Sequence, residues 1–351
     1  MRLNSIDLDQ VLESHLKASQ VILGVPSEEG ERFVPLPPRQ LVGDREIPFD
    51  LFLKVKTREH QKVQFVRCCA KGQVFQARWQ RKLQELQIPW VFFHPEDEPA
   101  VLDYLNAHLE KALVSDGLTY KEKAYLVYDV TLVWLRHFFT FEQARTGPRL
   151  QLALRYLDEL CALINAEQTP NSFVMDLWQH DRSLYAHSLN TCLLGLAFTA
   201  YLKWRAGDIR DFGLGALLHD IGMTKVPPQL VSKPSKLTEA EMDLIKRHPT
   251  VGFHLLKNYA VLRWEVLLMV VQHHEHGDGS GYPEGLKLAK IHPWARILSI
   301  LDSYEALTEE RPWRHAYPPS EALWVMRTEW EKSRFFDQTY LKHFIRFLAA
   351  L

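Results

Sequence analysis

The spacing of apolar and polar positions changes character along the chain. Near the start, the apolar run Val21-Ile22-Leu23-Gly24-Val25 precedes a polar, proline-containing stretch through Pro35, Pro37 and Pro38. That composition predicts a strand or short arm leading into an exposed linker. Phe49–Val55 and Lys62–Cys69 read as strands, and the polar Thr57-Arg58-Glu59-His60 between them predicts a hairpin. Val74–Leu86 carries Phe75, Trp79, Leu83 and Leu86 at helical spacing; Trp90–Phe93 reads as a further strand and Ala100–Val114 as a helix. After Ser115-Asp116-Gly117 the pattern is helical almost to the end. Segments 119–143 and 149–165 place apolar residues three and four apart, punctuated by Gly147-Pro148.

The expected fold class is a small α+β N-terminal domain followed by an all-α helical domain. The expected boundaries are 1–113 for the α+β unit, 114–168 for a helical connector, and 169–351 for the second domain. The connector reads equally as a linking bundle or a dimer seam. The first unit lacks the acidic pair and lysine of a phosphoacceptor receiver and any Gly-rich phosphate loop, so it reads as a sensing, docking or dimerising module.

Composition narrows the class. The chain has 351 residues, 46% hydrophobic and 24% charged, with a formal net charge of −1. This suits a globular chain that buries a real core. It predicts no general attraction to nucleic acid or to an anionic membrane. Cys68, Cys69, Cys161 and Cys192 show no CxxC spacing and read as reduced residues. The first 20 residues have no continuous apolar stretch, and no apolar run is long enough to span a bilayer, so a cytoplasmic location is expected.

The histidines carry the chemistry. Leu214–Leu218 leads into His219-Asp220-Ile221-Gly222, where an imidazole and a carboxylate stand side by side, both good ligands for a divalent first-row metal. His187 lies on an otherwise apolar helix; His248-Pro249 opens another; His273-His274-Glu275 ends a third. A loop of small residues, Asp278-Gly279-Ser280-Gly281-Tyr282-Pro283, follows, and Asp302 lies on a helix opening at Pro293. Each residue alone has a structural explanation: a core histidine, a helix cap or a turn. Together, in this order, they point to a metal site.

The series from His187-Ser188 through Asp302, with the later Ala306-Leu307-Thr308 and Arg311-Pro312-Trp313-Arg314, resembles the HD-GYP family over about residues 170–348. The resemblance implies an all-α HD-superfamily domain that hydrolyses cyclic di-GMP to pGpG or GMP with two divalent metals, iron or manganese. By this resemblance His187, His219, Asp220 and Asp302 surround one metal. His248, His273 and His274 surround the second, and Asp220 bridges the two, with a bridging hydroxide as nucleophile. Two such cations stabilise both oxygens of an in-line displacement at phosphorus. Arg311 and Arg314 match positions that contact the dinucleotide; Glu305 and Tyr282 are further candidates beside the substrate. The Tyr282 loop and the first domain are candidate surfaces for signalling partners, and a homodimer is a further candidate assembly.

Two positions depart from the family pattern. Met223 stands where many members have lysine, which leaves Lys225 as the candidate catalytic cation. Ser183 stands where some relatives have a glutamate that binds a third metal, so two metals are expected. Met223 also supports an alternative reading: a weak or inactive domain that binds metal and cyclic dinucleotide and signals through protein contacts.

Overall fold

In the computed structural model, the described residues are 20–22, 33–57, 63–166, 177, 183–231, 233, 235–310 and 314–350. The chain divides into two compact units, 1–133 and 134–351.

The first unit is built on a five-stranded antiparallel sheet: β1 (Gln20–Ile22), β2 (Val34–Leu36), β4 (Leu51–Thr57), β5 (Val63–Cys69) and β7 (Val91–Phe93). β4 is central. It pairs with β5 along one side, and with β1 and β7 at opposite ends of the other. Residues 51–55 are buried without alternation, as a strand covered on both faces should be. Phe33, Phe52, Phe65 and Phe92 cluster on one face, with Phe33 and Phe65 stacked at 4.3 Å. The hairpin expected from the sequence is present, though its tip at 58–62 lies outside the described residues.

Two expectations change. Pro35 is not in an exposed linker; it lies in β2, buried and paired opposite Phe92. β2 is the outer strand of the sheet, where a residue without an N–H costs no ladder bond. Val74 and Phe75 belong not to a helix but to β6 (Val74–Phe75), paired with β3 (Arg45–Glu46). The helix proper, α1 (Ala77–Glu85), begins after them, and α2 (Glu98–Leu113) follows β7. Arg39 grips the buried Asp129 through two bonds of 2.6 and 2.7 Å, and Gln40 adds a third at 3.1 Å. Asp129 lies on α3 (Tyr120–Thr140), within which the division between the units falls.

The second unit is helical among its described residues: α4 (Gly147–Ala166), α5 (Leu184–Tyr201), α6 (Ala206–Leu218), α7 (Pro228–Val231), α8 (Glu239–Ile245), α9 (His248–Leu256), α10 (Trp264–Gln272), α11 (Pro293–Thr308), α12 (Pro319–Ser333) and α13 (Gln338–Ala349). α5 is the axis. Every residue from Ala186 to Thr199 is buried, so it shows no polar face and must be enclosed by its neighbours. α6 and α11 pack against it, and α10 packs on α6, α9 and α11. This wraps three helix ends and two helix interiors around one spot. No helix is long and apolar enough to cross a membrane among the described residues, and the four cysteines are free.

Candidate metal centre

His219 caps the C-terminus of α6, and Asp220 follows where the chain leaves the helix for the tight turn 221–225. His248 opens α9, and His273 caps α10 with His274 next to it. His187 and Asp302 come from within α5 and α11. Gly222 permits the convergence. A Cβ there would lie 1.9 Å from the His248 carbonyl oxygen, so only glycine lets the turn sit on the start of α9.

The side chains form two adjoining groups: His187, His219 and Asp302, and Asp220, His248, His273 and His274. Asp220 faces both. Its Oδ1 lies 3.1 Å from His248 Nε2 and 3.7 Å from His273 Nε2. Its Oδ2 lies 3.6 Å from His219 Nε2 and 3.8 Å from His187 Nε2. Asp302 Oδ1 approaches His187 Nε2 at 3.1 Å and His219 Nε2 at 3.9 Å. All seven expected ligands are brought together.

Tautomers follow from the partners. Nδ1 of His219 donates to Ala216 O at 2.6 Å, Nδ1 of His248 to Ile245 O at 2.8 Å, and Nδ1 of His273 to Val270 O at 2.9 Å. A carbonyl only accepts, so each Nδ1 carries a proton and Nε2 is the nitrogen turned inward, a lone-pair donor once it has no proton of its own. Nε2 of His248 and Nε2 of His273 lie 3.2 Å apart, so wherever both are unprotonated their lone pairs face each other. His219 Nε2 is buried without a hydrogen-bond partner. An orphaned buried acceptor costs about 1–3 kcal/mol, and facing lone pairs repel. A cation between them removes both penalties, so this donor set fits divalent metals.

Electrostatics divide the ligands. Burial lowers His219 to about 4 and drives His274 well below its ordinary value, with His273 adding to both. Burial also opposes charge on His187, but Glu305 and Asp302 outweigh it and raise His187 to about 10. Burial would raise the Asp220 and Asp302 carboxyls, yet the surrounding histidines hold both well below the usual range. Both stay ionised, as ligands must.

Glu305 is not a substrate contact. It is fully buried and accepts from His187 Nδ1, while Asn190 Nδ2 donates to its other oxygen at 3.4 Å. It orients a ligand. Lys225, the candidate catalytic cation, has its Nζ paired with Glu142 at 2.6 Å on the exposed side of the turn, about 240° around the 3₁₀ turn from Met223. Arg314 donates to the carbonyls of Ala306, Leu307 and His315, closing the C-terminus of α11, so its guanidinium is engaged with backbone rather than turned to a ligand. Arg311 lies outside the described residues. Ser183 caps α5 by accepting from Ala186 N at 3.2 Å. Tyr282 is placed as a wall of the site, its ring 4.8 Å from that of His274.

Glu275 has a role that the sequence reading did not assign. It is 2% exposed, and its two oxygens accept from Glu284 N at 2.6 Å and Leu286 N at 2.7 Å. Tyr282 N donates to His274 O at 3.1 Å. The loop 278–287 is thus folded back on the histidine pair. A Cβ on Gly281 would come within 2.4 Å of His274 O, so the close approach needs glycine. A buried acid beside a Gly-rich loop whose N–H groups need acceptors is the signal that could have revealed it.

The helical wrap and the paired His/Asp groups define an HD-type metal domain, and comparison with known proteins agrees. Residues 179–339 match the family model described as HD domain. A cyclic di-GMP phosphodiesterase of Pseudomonas aeruginosa, PA4108, is 33% identical over 208 residues, 59% of this chain and 50% of that protein. The cyclic di-GMP phosphodiesterase response regulator RpfG of Xanthomonas campestris pv. campestris is 37% identical over 145 residues, 41% of this chain and 38% of that protein. The chain therefore spans half or less of the length of these relatives. In fold it resembles Bd1817, an HDG"Y"P protein from Bdellovibrio bacteriovorus, with a TM-score of 0.67 and 19% identity, covering 90% of this chain and 99% of that one. The chain thus carries an HD-type domain over residues 179–339.

Proposed function

We propose that the chain hydrolyses the phosphodiester bonds of cyclic di-GMP, to pGpG or onward to GMP, in second-messenger signalling, and that two divalent metals, iron or manganese, serve the reaction. One observation carries the reading: Asp220 turns one oxygen to each half of a seven-residue donor set. A carboxylate so placed is what two adjacent cations share, and paired cations suit in-line attack at a diester. His187, His219 and Asp302 would hold one metal; His248, His273 and His274 the other. Bound, the metals would activate water and offset phosphate charge. The chain's own part is to hold seven ligands in place, four of the histidines with Nδ1 fixed by a partner, to exclude bulk water by burial, and to present Tyr282 beside the site.

Met223 supports a second reading, a receptor that binds the dinucleotide without turning it over. With Lys225 paired to Glu142, the turn after Asp220 brings no lysine of its own to the site.

The decisive experiment is one anaerobic preparation assayed for metal content and for products of cyclic di-GMP with Fe²⁺ or Mn²⁺. Close to two metals per chain and linear product support hydrolysis; binding without product under either metal favours the receptor. Asp220→Ala should lose both metals and lower the rate roughly 1000-fold or more. A variant that keeps both metals would refute the bridging role.

A further inference from the structure

The structure points to a cation beside the second half of the centre. Lys246 ends α8, its N–H bonded to Met242 O at 2.8 Å, two residues before His248. Its Nζ lies over the Tyr282 ring, 5.7 Å from the centroid. That ring is tilted by 31° against His274 at 4.8 Å and lies 6.4 Å from His248. Lys246, Tyr282 and the His248–His274 pair therefore form one continuous wall. Lys246 is exposed and makes no ion pair among the described residues, whereas Lys225 is matched to Glu142 and Lys233 to Glu241.

We infer that Lys246 is a substrate-binding residue that holds a non-bridging oxygen of the phosphodiester entering the metal centre, with the Tyr282 ring fixing the direction of its side chain. The inference rests on the phosphodiesterase reading. The chemistry supports it on three counts. The face of an aromatic ring attracts an ammonium without neutralising it, so the charge remains available to an anion. Lysine suits this place because it binds phosphate as a point charge on a flexible stem, with no need for the planar match that arginine requires. The two metals would each engage oxygens of the phosphate at the centre, and an ammonium at the rim can take a non-bridging oxygen on the outer side.

The test compares wild type, Lys246→Ala and Lys246→Arg, each loaded with Mn²⁺, on cyclic di-GMP and on bis(p-nitrophenyl) phosphate, with metal content measured for every sample. Lys246→Ala should lower kcat/KM by about 10- to 100-fold on the substrate that wild type turns over, the range of a lost charge-assisted bond. Its metal content should equal that of wild type, and Lys246→Arg should recover most of the loss. Raising salt should narrow the gap between wild type and Lys246→Ala. Two variants within twofold of wild type would overturn the inference, and so would a loss accompanied by missing metal or shared equally by the arginine variant. Turnover of bis(p-nitrophenyl) phosphate without turnover of cyclic di-GMP would overturn the substrate reading alone, and the variants would still decide Lys246 on the simple diester. Turnover of neither would overturn both.

Discussion

Glu305, buried on α11, accepts a hydrogen bond from Nδ1 of His187 on α5, and so fixes which nitrogen of that imidazole faces the metal centre. The carboxylate lies 118 positions from the ring it orients. Removing such an outer partner commonly costs 10- to 100-fold in metal affinity. Glu305→Ala should therefore weaken metal binding by about that factor, while Glu305→Gln, which keeps an acceptor, should lose less. Metal titration of the two variants would show it; unchanged affinity in Glu305→Ala would contradict the role.

The same pair predicts a proton count. His187 is raised from an ordinary 6.5 to about 10, so in the metal-free protein it stays protonated until pH rises through about 10. Its stabilising contribution is complete below 6.5 and is lost as pH climbs toward 10. His219, lowered to about 4, behaves in the opposite sense: its contribution is present above 6.5 and is lost as pH falls toward 4. At pH 7.5 His219 is already neutral and His187 is not. Metal must then displace about one proton or more, from His187 and from His248, which Asp220 raises against the effect of burial. Calorimetric titration in two buffers of different ionisation enthalpy would count it, and affinity should rise with pH between 7 and 9. Heats independent of buffer would be evidence against this.

Glu275 should matter more to the loop than to the fold as a whole. Glu275→Ala leaves the N–H groups of Glu284 and Leu286 without their carboxylate. The expected cost is roughly 1–3 kcal/mol per stranded group, reduced wherever water reaches it. Because Tyr282 and His274 are tied to the same loop, proteolysis within 278–287 should quicken and metal retention should fall in the half containing His274. A variant with wild-type protease resistance would leave the tie without effect.

Gly222→Ala tests the packing that brings the two halves together. The added methyl meets the His248 carbonyl at 1.9 Å and Gly252 N at 2.8 Å, both backbone atoms that cannot swing aside. Overpacking of this kind costs about 1–3 kcal/mol or more. Thermal unfolding should show a lower Tm, with metal binding weakened in the same sample. A Tm equal to wild type would mean that the turn can move without penalty.

Much of this molecule was legible along the chain. Apolar spacing marked helices from 119 onward because a buried helical face must recur every three to four residues, and that periodicity is local. The seven-residue donor cluster was legible because few side chain types can bind a divalent metal, and these recur along the chain in a recognisable order. Strand order, and what each polar side chain touches, were not. Pro35 reads as linker material until an edge place in the sheet makes its missing N–H harmless. Lys225 and Lys246 are equally charged in the sequence; only the fold turns one to Glu142 and the other over Tyr282. Glu305 reads as a substrate contact until α5 and α11 pack and bring it to His187. The sequence by itself determined element type and the chemistry of the ligands, since both depend on residue identity and short-range spacing. Tertiary structure decided which oxygen of Asp220 serves which half, which nitrogen of each histidine faces inward, and which cation stays free, because those depend on contacts between residues far apart in the chain.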